Sequence, residues 1–231
     1  MPNDIVIEQT RQWIESVVVD LNFCPFAKRE LRRNAVRFTV ISGDDIGEAL
    51  QQLITECMFL DGHPDTETTL LILPEGYAEF LDYLDLAGLA EDLLAEQGYE
   101  GVYQVASFHP DYCFADAEPD DAANYTNRSP YPMLHLLREA SLDTAIDNYP
   151  DIDSIPADNM KKARALGAGY FRGLMGSLGT GMPGNANCPV NRPGNKGLMP
   201  EPSLALLLKP RQIQELRSER SAGINYLRRS L

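Results

Sequence analysis

Three histidines and four cysteines carry most of the near-neutral chemistry in this 231-residue chain. His109 opens His109-Pro110-Asp111-Tyr112, and His135 lies in Ser129-Pro130-Tyr131-Pro132-Met133-Leu134-His135. His109, Asp111 and His135 have the residue types of a two-histidine, one-carboxylate site. Such a set occupies one face of Fe(II) or Zn(II) and leaves positions open for substrate or water. One divalent metal, Fe or Zn, is therefore a cofactor these residues are equipped to hold. Without it, the two imidazoles remain acid–base groups. Cys24 is the alternative centre, because Lys28, Arg29, Arg32 and Arg33 follow it within nine residues. Those charges and a helix dipole are expected to lower its pKa toward thiolate. Paired with His109 or His135, Cys24 would be a nucleophile with its base. His63 precedes a strand and reads as a surface-loop residue, while Cys57 falls on an apolar helical stripe.

An anion site is the other chemistry on offer. Asn127-Arg128-Ser129 precedes Pro130, so Ser129 is expected to cap a helix whose amides point at a ligand. Arg128 and Arg138 are forks suited to carboxylate or phosphate, with Tyr112 and Asn127 beside them.

These residues need elements to position them. Ile5, Trp13, Ile14, Val17, Val18 and Leu21 recur at helical spacing, and the helix stops before Pro25. Strands are expected at Val36–Ile41, Thr68–Leu73 and Val102–Phe108, separated by helices over 45–60 and 77–97. Helices between strands imply parallel pairing. Ligands in such sheets sit beyond the carboxyl ends of the strands, which points at His109. Residues 109–130 read as a long functional loop. The stretch from Tyr131 to about Asn148 reads as a helix, with Tyr131, His135 and Arg138 on one face. A further helix runs from Ala157 to about Met175. The fold class expected is α/β, in two or three layers, with a small, mostly parallel sheet flanked by helices. The domain spans 1–175; 176–231 is a Gly/Pro/Asn-rich linker and a basic tail.

Composition excludes several classes. The net charge is −14, and an acidic surface disfavours nucleic-acid partners. Charge is unevenly spread: residues 160–231 hold 12 Lys/Arg against 3 acids (+9), leaving 8 bases against 31 acids (−23) in 1–159. The longest apolar run is five residues, Leu204 to Leu208, so no membrane partner is expected. The acidic start lacks a secretory layout, and the cysteines form no short-range framework. A cytoplasmic protein with reduced thiols is the expectation.

Three stretches carry a resemblance: Leu21-Asn22-Phe23-Cys24-Pro25-Phe26-Ala27-Lys28, then Val105 through Phe114, then Asn124 through Glu139. From about residue 8 to about 175 the chain resembles the mainly bacterial family called domain of unknown function number fourteen-fifteen. The resemblance implies no activity, but its stretches hold Cys24, His109, Asp111, Asn127, Arg128, His135 and Arg138. The reading is an enzyme acting on a small anionic metabolite, with His109 and His135 catalytic and Asn127, Arg128, Ser129, Arg138 and Tyr112 binding substrate. The alternatives are a Cys24-nucleophile enzyme and a small-anion binding module without catalysis.

Overall fold

The structure, a computed structural model, describes residues 1–147 and 154–179. Four strands form one sheet in the order β1-β2-β4-β3, where β1 is Val36–Val40, β2 Thr68–Ile72, β3 Tyr103–Phe108 and β4 Met133–Arg138. β1 pairs parallel with β2, while β4 pairs antiparallel with both β2 and β3. The three strands expected from sequence therefore exist and run in one direction. They are not contiguous, because β4 is wedged antiparallel between β2 and β3. One parallel pair and two antiparallel pairs make this a mixed sheet rather than a mostly parallel one.

β4 is where the helix expected from Tyr131 begins instead as a strand. Helical spacing and alternation both fit Met133-Leu134-His135-Leu136-Leu137-Arg138. A central strand is apolar on both faces, so its sequence loses the alternation that would announce it. Pro132 disfavours a helix that starts at Tyr131, because the residue before a proline is pushed out of the α region. The helical pattern resumes at α5, Glu139–Asp147.

Helices cover both faces, giving three layers. α3 (Ile46–Gly62) and α4 (Phe80–Glu96) pack on the face of Leu71, Tyr103, Val105, Leu134 and Leu136. α1 (Asn3–Trp13), α6 (Ile155–Leu166) and α7 (Ala168–Ser177) pack on the face of Leu70, Ile72, Ala106, Phe108 and Met133. Alternation along each strand divides its side chains between these two cores. α1 continues as a π-helical turn, Ile14–Val19, followed by the short α2, Ala27–Arg32. α7 reaches Ser177, two residues into the expected linker; the rest of that linker and the basic tail lie outside the described residues. No helix among the described residues is long and apolar enough to cross a membrane.

Tyr83 of α4 ties the end of the β3–β4 ladder. Its hydroxyl donates to the Met133 carbonyl at 2.7 Å and accepts from the Phe108 N–H at 3.0 Å. Burial raises its pKa well above the usual tyrosine value, so the hydroxyl stays a donor. Tyr83→Phe strands both backbone groups, and the expected loss is about 2–4 kcal/mol. It reads as a lower urea midpoint at unchanged slope; a loss under about 0.5 kcal/mol would contradict the bridge.

Candidate functional site

The face covered by α1 and α6 carries a pocket of about 480 Å³, inside the roughly 300–1,000 Å³ of small-molecule sites. Its sheet wall is Leu70, Phe108, His135 and Leu137, and its helical wall includes Trp13, Ile14 and Val18. Arg29, Glu30, Arg33 and Glu67 also line it. Arg29 and Glu30 belong to α2, and Arg33, which follows its last residue, pairs with Glu30 at 2.8 Å.

Sequence explains how the helical wall is placed. Val6, Thr10, Trp13 and Val17 recur at three- and four-residue steps, and all are buried. The valine run Val17-Val18-Val19 has poor α propensity, and here the backbone bonds shift to the i−5 pattern, as in Asp20 N–H to Glu15 C=O at 2.9 Å. Phe23 N–H reaches Val18 C=O in the same way, and Asn22 takes a positive φ of 52°. The turn so made swings Cys24 into the pocket wall. Asn159 of α6 fastens this turn by donating to the Phe23 carbonyl at 2.7 Å. Trp13 meets Phe108 edge-on, with ring centroids 5.5 Å apart.

His135, on β4, enters this wall with a defined protonation pattern. Its Nε2 lies 2.7 Å from Thr68 Oγ1, and that hydroxyl donates to the Leu136 carbonyl at 2.5 Å. Burial lowers the imidazole pKa to about 4, so the ring is neutral at pH 7. Cys24 departs from the expectation of an activated thiolate. Burial pushes its pKa up, and backbone bonds from Phe26 and Ala27 oppose this only in part. Arg29, 76% exposed at its side chain, and its basic neighbours on α2 are too well solvated to reverse it. Among the described residues, Cys24 and Cys57 are free thiols.

Of the remaining predicted site residues, Asn127 and Arg138 also line the pocket but are engaged by backbone carbonyls, while His109, Asp111, Tyr112, Arg128 and Ser129 serve the loop 109–130. His109 is fully buried on the opposite face of the sheet, against Phe80 and Tyr83 at centroid distances of 5.2 and 5.1 Å. Its Nε2 donates to Tyr77 C=O and its Nδ1 accepts from Asp111 N–H, both at 2.9 Å. Its pKa falls to about 4, through burial first and the Arg128 charge second. Asp111, whose carboxyl pKa burial raises, contributes its amide to this arrangement. Arg128 is buried, with Nε on Tyr112 C=O at 3.0 Å and Nη2 on Pro119 C=O at 2.9 Å. Asn127 donates to Ser107 C=O, and Ser129 donates to Tyr131 C=O instead of capping a helix. Tyr112 packs in the core beneath the loop.

Arg138 is engaged at the end of α3. Its guanidinium donates to Leu60 C=O at 2.6 Å, to Thr66 C=O at 3.1 Å and to Tyr103 Oη at 3.2 Å. Strand geometry puts Arg138 and His135 on opposite faces, where helical geometry would have joined them. The proposed set His109, Asp111 and His135 is likewise split by the sheet. No group of three or more His, Cys, Asp or Glu able to hold a metal occurs among the described residues. Cys24 and His135 are the two predicted catalytic residues that share the pocket.

Trp13 and Thr68 are the pocket residues that sequence reasoning did not single out for function. Trp13 is the chain's one tryptophan and is 2% exposed, and its Nε1–H finds no acceptor among the described residues. Thr68 gives no local signal, because its role depends on the β2–β4 register Leu70↔His135.

Fold and site together define a three-layer α/β domain with a pocket of small-molecule size between its mixed sheet and one helical layer. The three stretches that carried the resemblance each reach this pocket: Cys24 and Phe26, then Phe108, then Asn127 and His135. The chain belongs to the family described as protein of unknown function (DUF1415), whose model matches residues 5–172. Searches of curated proteins and of solved structures returned no match.

Proposed function

We propose that this domain binds a small, predominantly apolar molecule in the pocket lined by Trp13, Cys24 and His135. The observation that carries this reading is a pocket of about 480 Å³ walled mostly by apolar side chains, Trp13, Leu70, Phe108 and Leu137 among them. An anionic metabolite fits less well. Arg128 and Arg138, the forks expected to receive it, donate to backbone carbonyls. The cations that line the pocket are already engaged, Arg29 and Arg33 with Glu30 and Arg138 with backbone carbonyls, so a carboxylate buried in this apolar wall would be costly.

A second reading, thiol chemistry on the bound molecule, is favoured by Cys24 and His135 lining the same pocket. Both groups are neutral at pH 7 in this environment, so the thiol would suit only a strongly electrophilic ligand.

Propylbenzene and benzoate separate the apolar from the anionic reading. Emission from Trp13, the one tryptophan, reports occupancy of its own wall. A saturable change with propylbenzene, and none with benzoate at equal concentration, is expected. Saturation by benzoate with no response to propylbenzene up to its solubility would overturn the proposal.

A further inference from the structure

Resting on that reading of the pocket, we propose that its ligand is an alcohol or phenol. The ligand hydroxyl donates to Nδ1 of His135.

The tautomer of His135 follows from its neighbour. Thr68 has one hydroxyl hydrogen, and a carbonyl can only accept, so at 2.5 Å that hydrogen belongs to the bond to Leu136 C=O. Thr68 Oγ1 must then accept from His135 Nε2–H, 2.7 Å away. The imidazole is therefore protonated at Nε2 and carries its lone pair at Nδ1. No hydrogen bond from a described residue engages that Nδ1. Among the described residues, the pocket wall thus holds one unused acceptor, His135 Nδ1.

A buried polar group without a partner is a standing cost, which a complementary ligand removes. A hydroxyl both donates and accepts. A carboxylate cannot donate to Nδ1 and would bring a charge into an apolar wall. An ammonium donates but would bring a charge into an apolar wall, where Glu30 already pairs with Arg29 and Arg33. Ethers cannot donate and leave His135 unmet. The chemistry therefore ranks a phenol above both its methyl ether and the plain hydrocarbon.

Calorimetric titration of the full chain with 4-propylphenol, 4-propylanisole and propylbenzene tests this ranking. The phenol is expected to bind at least about tenfold more tightly than the anisole, one hydrogen bond in a desolvated site. His135→Leu should remove that preference to within about twofold while leaving anisole affinity in place.

Equal affinities for all three compounds on the unaltered protein would overturn the hydroxyl assignment and leave the apolar pocket standing. No binding of any of the three would overturn the pocket reading itself. Should His135→Leu fail to fold, the nitrogen-15 shifts of the unaltered His135 ring decide the tautomer. An Nδ1–H form would overturn the proposal.

Discussion

His109→Ala is expected to lower the unfolding free energy by about 4 kcal/mol or more. The ring is fully buried between Phe80 and Tyr83, and emptying such a site costs about 3–5 kcal/mol by analogy with large aromatic truncations. The change also strands Tyr77 C=O and Asp111 N–H, bonded to the ring at 2.9 Å each. Each stranded group adds about 1–3 kcal/mol, less wherever water enters. Tyr77 has a positive φ of 50°, so the turn before α4 relies on that bond to stay in place. Urea denaturation measures the loss. A loss under about 1 kcal/mol would mean that the ring is not a structural pin and is free for chemistry.

Acid should destabilise the protein well before its carboxylates are fully protonated. Burial holds His109 and His135 at pKa values of about 4, against 6.5 unperturbed. Between those values the unfolded chain binds protons that the folded protein refuses. Stability present above pH 6.5 is therefore lost as pH falls toward 4, by about 3 kcal/mol for His109. The loss for His135 is smaller, because its ring borders the pocket and is partly hydrated. Asp111 and Glu91, with raised pKa values, work in the opposite direction at the low end of the window. Urea midpoints from pH 7.5 to 4.5 should fall with a slope approaching two protons, and His135→Leu should remove one of them. Stability that stays level or rises across this window would contradict the burial of both rings.

The strands on either side of α3 and α4 were legible because each is a short β-branched or apolar run bounded by turn residues. β4 was not. Leu134 and Leu136 face one core while Met133 and Leu137 face the other, so both periods fit the same letters. That single ambiguity propagated into the site. As a helix, the segment would unite His135 with Arg138; as a strand, it sends one to each side of the sheet. His109 does follow the end of β3, but a position says nothing of what the ring nitrogens bond. Arg128 shows the same limit. A buried arginine that knits a loop and an exposed one that grips a phosphate have the same sequence signature, and only the carbonyls of Tyr112 and Pro119 distinguish them. Cys24 was marked for its basic neighbours, whereas burial governs its thiol. It reaches the pocket through the π-helical turn, which local propensity does not announce.

The account's central claim is that a small neutral molecule occupies the pocket beside Trp13. With one tryptophan in the chain, the protein has a single indole N–H resonance. Titrating 4-propylphenol into nitrogen-15-labelled full chain should shift that resonance and saturate, because Trp13 lines the pocket, with phosphate leaving it in place. An indole resonance unmoved by saturating 4-propylphenol would contradict the claim.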